Sequence, residues 1–309
     1  MSDRAALVAA ASAMISEGSK SFRFASQLFD ETTRERSWLL YSWCRACDDI
    51  TDGQTLGHDA ETPEDPEVRL AFVKEQTAKA LAGEETGLVP FDALGLVARE
   101  CDIAHAATEH HLAGFARDAA GWRPETEEDL LSYCYQVAGA VGVMMAQVMG
   151  VSRDDGDTLD RASDLGLAFQ LANIARDIVD DARVDRSYIP KSWLAEEGIA
   201  AIDPDDPGHA PIVARYRKRL ADMADQYRES ARVGAARLPL RSRWAILAAA
   251  NIYGRIAEVA REAGEARWNE RISIGKREKL RQVRRALMQS AGRPADFNRD
   301  GLWTRPALD

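Results

Sequence analysis

The chain has little cysteine, no long uninterrupted apolar run and almost no apolar–polar alternation. Four cysteines among 309 residues cannot staple a chain of this length, which excludes a disulfide scaffold. Cys44 and Cys47 form a lone C-x-x-C with no second pair or spaced histidine to complete a zinc site, so they read as two small helix residues. The most apolar stretch, Val137 to Val151, is interrupted by Gln147 and falls short of the roughly 20 residues that a spanning helix needs. The N-terminal segment carries Asp3, Arg4 and Glu17 around alanines, without the basic start and apolar core of a signal peptide. A cytoplasmic protein with reduced thiols is expected. There is no G-x-x-x-x-G-K phosphate loop, which counts against an ATPase, and no G-x-G-x-x-G after a strand, so no nicotinamide cofactor is expected. A net charge of −10 argues against nucleic acid as the main partner, because phosphate binding needs a positive field.

What is present is helical. Hydrophobic residues at 46% and charged residues at 29% suit a folded chain with a sizeable core. The apolar spacing predicts helices over 32–53, 67–82, 126–150, 156–184, 209–236, 240–265 and 275–290, with two short helices or one bent helix over 88–118. Thr32 or Thr33 can cap the first of these, and Thr126 opens another just before Glu127, Glu128 and Asp129. Strand periodicity and Asn-Gly turns are missing, so one all-α domain of eight or more helices is expected over 1–309, with 291–309 an irregular tail.

Two helical segments carry acids inside apolar surroundings. In Tyr41-Ser-Trp-Cys-Arg45-Ala-Cys-Asp48-Asp49-Ile-Thr-Asp52, the carboxylates of Asp48 and Asp52 are four residues apart and share a face, with Arg45 and Tyr41 extending the stripe. In Gln170-Leu-Ala-Asn173-Ile-Ala-Arg176-Asp177-Ile-Val-Asp180-Asp181, positions 170, 173, 177 and 181 put two amides and two carboxylates in a row. Like charges at this spacing repel by a few tenths of a kcal/mol, so a positive partner is expected. A solvated face explains either motif alone. Two facing motifs could instead hold hard cations, for which oxygen ligands favour Mg²⁺, bridged to substrate phosphates that Arg45 and Arg176 also contact.

Together with Ser19-Lys-Ser21-Phe22, Tyr133-Cys-Tyr-Gln-Val-Ala-Gly139-Ala-Val-Gly142 and Arg186-Ser-Tyr188-Ile-Pro190, these segments resemble the squalene/phytoene synthase family, most closely its bacterial phytoene branch. The motifs keep the family's order from about residue 14 to 290. Thr51 stands where many squalene synthases have Glu, and Asp49 supplies the extra acid, as in the phytoene branch.

The resemblance implies an isoprenoid synthase fold, with helices around a central cavity, and head-to-head condensation of two geranylgeranyl diphosphates through prephytoene diphosphate to phytoene. It assigns Mg²⁺, with Mn²⁺ as substitute, to Asp48, Asp52, Asn173, Asp177 and Asp181. Diphosphate and prenyl binding fall to Ser19, Ser21, Phe22, Arg45, Gly139, Gln170, Asn173, Arg176, Arg186 and Tyr188, and the reaction centre to Tyr41 and Tyr133. The Ala138–Gly142 run suits either room for a prenyl chain or tight helix packing. Alternatives are a squalene or dehydrosqualene synthase using farnesyl diphosphate, and a non-catalytic scaffold subunit of the same fold. His105, His110 and His111 form no metal motif, and Trp38, Trp43 and Trp244 read as core. The basic run Lys276 to Arg285 reads as a solvated face, the alternative being peripheral contact with anionic membrane. Association with other carotenoid-pathway enzymes is the remaining partner expectation.

Overall fold

The computed structural model describes residues 3–18 (side chains through 15), 25–53 and 65–308, and among them only helices, turns and irregular segments occur. The long helices are α1 (Arg4–Gly18), α2 (Glu31–Thr51), α3 (Pro66–Leu81), α4 (Val89–Cys101), α5 (His105–Ala119), α6 (Glu127–Cys134), α7 (Ala140–Val148), α8 (Gly156–Arg183), α9 (Lys191–Glu196), α10 (Ala210–Ala235), α11 (Leu240–Ala263) and α12 (Lys276–Ser290). Neither α1 nor the single-turn α9 was expected from periodicity. The cap of α2 also differs: Asp30 accepts from the Thr33 amide (3.0 Å) and hydroxyl (2.7 Å), so the acid outcompetes the two threonines. At α6 the expected cap forms, with Thr126 and Asp129 making a reciprocal capping box.

The ambiguous stretch over 88–118 is two helices. Asp102 adopts the left-handed conformation (φ 48°) and ends α4. Gln147, the polar residue that interrupts the apolar run, stitches this break: its amide donates to the Asp102 carbonyl (2.8 Å) and its oxygen accepts from the Ala104 amide (3.3 Å). Both backbone groups would otherwise be orphaned in the core.

The helix expected over 126–150 is not continuous, because Tyr135–Gly139 forms a π-turn between α6 and α7. The cause is close approach to α8. A Cβ on Gly166 would lie 2.4 Å from the Ala138 carbonyl oxygen, and one on Gly142 would lie 2.4 Å from the Ala162 carbonyl oxygen. Only glycines let these backbones meet, and the π-turn takes up the extra residue.

Helix α8 runs through the molecule and packs most extensively on α10, with α11, α7 and the π-turn against its other sides. Leu167, Leu171, Ile174 and Ile178 join Trp193, Tyr216 and Leu220 in one apolar cluster, while Leu39, Leu40 and Trp43 of α2 join Phe91 and Leu94 of α4 in another. Both acidic motifs therefore sit on helices whose other faces are fixed by burial.

Residues beyond α12 run irregularly but are bound to α8. Arg299 pairs with both oxygens of Asp164 (2.7 and 2.9 Å), whose side chain is 1% exposed, and Arg305 pairs with Asp160 (2.9 Å). Trp303 lies against Tyr135 of the π-turn, with ring centroids 5.5 Å apart.

Replacing Gly166 by alanine should force α8 off the π-turn and cost about 1–3 kcal/mol, the scale of overpacking a tight core. The control is Gly156→Ala, where a Cβ meets nothing within 4 Å. Denaturant unfolding should show the first destabilised and the second unchanged or slightly stabilised.

Candidate active site

A cavity of about 580 Å³ opens between α2, α5, the π-turn and the turn after α8, lined among others by Tyr41, Arg45, Asp48, Asp52, Tyr133, Gln170, Arg186 and Tyr188. Eight residues singled out by sequence thus meet at one place. The α2 stripe faces inward because Leu39, Leu40, Trp43, Cys47 and Ile50 bury the opposite side. The expected positive partner of the acids is Arg45, which pairs with Asp49 (2.6 Å) and Asp48 (3.3 Å). Burial, reinforced by the charge of Asp52, still pushes the Asp48 carboxyl above its ordinary range.

Arg186 and Tyr188 arrive on a turn held by its own hydrogen bonds. Asp185 adopts the left-handed conformation (φ 55°), the Arg186 amide donates to the Asp181 carbonyl (2.9 Å), and Arg123 grips the Asp185 carbonyl (3.0 Å) and carboxylate (2.7 Å). This hairpin swings Arg186 back over the acids. Its guanidinium lies 3.9 Å from Asp52 and partly offsets the upward shift that burial imposes on Asp48, Asp118 and Asp181. It is the cation common to both motifs.

The second motif divides. Gln170 lines the main cavity, whereas Asp181 lines a small adjoining pocket that shares Arg186 and Tyr188 with it. Burial and then the charge of Asp177 push Asp181 up to about 6. Asp177 is held by Arg176 through both oxygens (2.7 and 2.5 Å), so that guanidinium neutralises its neighbour and is not free for a phosphate. Asn173 is half-buried and its side-chain oxygen, fully enclosed, has no hydrogen-bond partner.

Tyr133 is fixed from three directions. It stacks between Trp122 (5.6 Å) and Tyr188 (5.0 Å), and its hydroxyl donates to both oxygens of Asp118 (3.0 and 3.1 Å). Asp118 escaped the sequence reading. It follows Arg117 at the end of α5 and reads as a solvated pair, yet its spacing from His111 and Phe115 places all three on one helix face, and all three line the cavity. Arg69, from α3, is a second lining residue that no motif announces.

Other expectations resolve plainly. Ser19, Ser21 and Phe22 lie outside the described residues. Gly139 is not a lining residue: a Cβ there would meet Leu167, Tyr135 and Ser163, so tight packing explains it. Burial pushes the Cys44 thiol up to about 12 and the Cys47 thiol well above its ordinary value, the opposite of a reactive thiolate, and neither forms a disulfide. His111 is buried and neutral, held down to about 4, with its Nδ1 against the Gln136 carbonyl (3.0 Å), and His110 meets the Tyr135 hydroxyl (2.7 Å). Trp43 is core, Trp38 bonds Ser26 (2.9 Å) and Trp244 bonds the Val283 carbonyl (3.0 Å).

The described residues contain no preformed cluster of three metal-ligating side chains. The donor set nonetheless suits a hard cation: carboxylate pairs on two helices, in which burial raises the pKa of Asp48 and Asp181, and an enclosed amide oxygen of Asn173 without a partner. Acids that repel one another beside a cavity gain most from a divalent ion carried in with an anionic ligand.

An all-helical frame with two acidic helices beside adjoining pockets is consistent with an isoprenoid synthase. The squalene/phytoene synthase family profile matches residues 15–283, and the chain belongs to that family. It is 46% identical over 299 residues to a 15-cis-phytoene synthase of Pantoea ananas, covering 94% of each chain. It is 44% identical over 307 residues to a 15-cis-phytoene synthase of a Paracoccus species, covering 97% of this chain and 98% of that one. A crystal structure of a dehydrosqualene synthase in complex with ligand superposes with a TM-score of 0.77 at 24% identity, over 92% of this chain and 96% of the other. That likeness establishes the isoprenoid synthase fold.

Burial raises Asp118 from 3.8 to about 6, so folding disfavours its charged form. The stability tied to this group is present below about pH 4 and is lost as the pH rises through about 6. Asp118→Asn keeps an oxygen for the Tyr133 hydroxyl but cannot ionise. The melting temperature of this variant relative to the parent should therefore climb from pH 4 to pH 7 and be level below pH 4. A difference independent of pH would mean that the carboxyl titrates normally.

Proposed function

We propose that the protein is a phytoene synthase, joining two geranylgeranyl diphosphates head to head and releasing both diphosphates, the first committed step of carotenoid biosynthesis. The observation that carries the reading is the convergence of Asp48, Asp52, Asp181, Arg45, Arg186 and Tyr133 on connected pockets, in a chain 42–46% identical to four curated phytoene synthases.

Asp48, Asp52, Asp177 and Asp181 would hold Mg²⁺, with the unpartnered oxygen of Asn173 completing the set. Bound there, Mg²⁺ would neutralise diphosphate charge and make it a better leaving group. Arg45, Arg69 and Arg186 line the cavity and would meet diphosphate oxygens, and the Arg176–Asp177 pair would have to open for Asp177 to take part. When the first C–O bond breaks, its electrons leave with diphosphate and an allylic cation remains. The double bond of the second substrate attacks it and a proton leaves, giving a cyclopropylcarbinyl diphosphate. Loss of the second diphosphate, rearrangement and loss of a further proton give the C40 triene, with no oxidant or reductant. Phe115, Val137 and Val141 line the cavity and exclude the water that would quench these cations. The Asp118 carboxylate, held by Tyr133 and near Tyr188 (3.5 Å), lies where a departing proton can be accepted.

Purified protein with geranylgeranyl diphosphate and Mg²⁺, without NADPH, should yield phytoene. Farnesyl diphosphate should be poorer, since each CH₂ left unburied forfeits about 0.8 kcal/mol. Asp48→Asn and Asp181→Asn should each cut turnover by at least about 10²-fold, the scale of losing preorganised charge stabilisation, while the fold survives. EDTA should abolish activity and Mg²⁺ restore it. A faster C30 product, a strict need for NADPH or full activity in chelator would each overturn this reading.

A further inference from the structure

Helix α12 presents a surface that the chemistry does not use. Its inward side is fixed: Gln282, Val283, Ala286 and Ser290 are buried against α11, the Trp244 indole donates to the Val283 carbonyl (3.0 Å), and Asn251 donates to Gln289 (2.8 Å). At 100° per residue the opposite side carries Arg277, Arg281, Arg284, Arg285 and Met288, with Leu280 and Leu287 along its flank. Leu280, Leu287 and Met288 are 45%, 48% and 73% exposed.

An ordinary solvated helix face mixes acids with bases. Here Lys276, Arg277, Lys279, Arg281, Arg284 and Arg285 stand against a single acid, Glu278, whose carboxylate is taken by Arg281 (2.9 Å) and Gln282 (2.6 Å). Among the described residues Lys276, Arg277, Lys279, Arg284 and Arg285 have no ion pair, although the protein as a whole carries a charge of −10. The patch continues at the start of α11, where Arg243 binds the Ser290 carbonyl (3.2 Å), Arg241 binds the Leu28 carbonyl (3.0 Å) and Leu240 is 61% exposed.

We propose that this face docks the protein on an anionic lipid surface. The outward arginines meet lipid phosphates, and Leu280, Leu287 and Met288 reach the acyl boundary with α12 lying in the membrane plane. Charge complementarity selects the occupant and also the orientation. An acidic protein is repelled by an anionic bilayer over much of its surface and attracted at this face. Apolar side chains interleaved with the cations suit a bilayer interface better than a nucleic-acid backbone, which offers no apolar layer. The inference rests on this surface alone and stands or falls apart from the reaction proposed above.

The test is flotation of the full chain with vesicles of phosphatidylcholine alone or mixed equally with phosphatidylglycerol, without substrate, at low and high salt. Binding is expected only to the phosphatidylglycerol vesicles and should be released by salt. Combined Arg277→Glu, Arg281→Glu and Arg284→Glu should lower partitioning by at least ~100-fold, given that each basic residue near the surface supplies about a factor of five. Leu287→Ser with Met288→Ser should lower it by roughly tenfold through lost acyl contact. Because these side chains are exposed and remote from the cavity lining, melting temperature and turnover of detergent-dispersed substrate should not change. Equal binding to both vesicles, no binding to either, undiminished binding by the charge-reversed variant, or equally tight capture of a single-stranded oligonucleotide would overturn the proposal.

Discussion

Like charge confined around one cavity is the constraint on which the rest of the site depends. Asp48, Asp52, Asp118 and Asp181 crowd adjoining pockets, burial disfavours the ionisation of Asp48, Asp118 and Asp181, and the pKa values of the last two reach about 6. A free helix would turn such a stripe toward water. Helices α2 and α8 cannot, because their remaining faces are packed into two apolar clusters. The hydrophobic core thus holds the acids where electrostatics alone would not leave them. Arg45, Arg176 and Arg186 offset only part of the repulsion.

The same core sets the precision of the cavity wall. Gly142 and Gly166 bring the α6–α7 strand of helices against α8 at backbone distance, and the π-turn between them follows from that contact. Tyr133 lies two residues before the turn, clamped between two aromatic rings and a carboxylate. Its position is therefore coupled to helix packing on one side and to the Asp185 turn on the other. Few side chains in the molecule have less freedom to move.

Most helices were legible because burial imposes a 3.6-residue period on the sequence, and the two acidic motifs were legible because acids inside that period are conspicuous. What escaped depends on long-range contact. Asp118 looks like a solvent-facing neighbour of Arg117, and only the approach of Tyr133 and Tyr188 encloses it. The π-turn has no local signal, since its cause is a carbonyl on the facing helix. Gln147 read only as a flaw in an apolar run, while its task is to satisfy a chain break more than 40 residues away. Gly139 belonged to a motif and so drew a ligand role, where the coordinates give it a packing one.

The attachment of the irregular segment after α12 bears on how the protein is made. Asp164 is enclosed in the middle of α8, and its partner Arg299 lies 135 positions later in the chain. While a ribosome is still extending the polypeptide, that carboxylate has no counter-ion, and Trp303 is not yet available to cover Tyr135. The central helix should then remain loosely docked until synthesis has passed residue 305. Tight docking of the central helix is then a late event in folding, because it waits for the segment after α12.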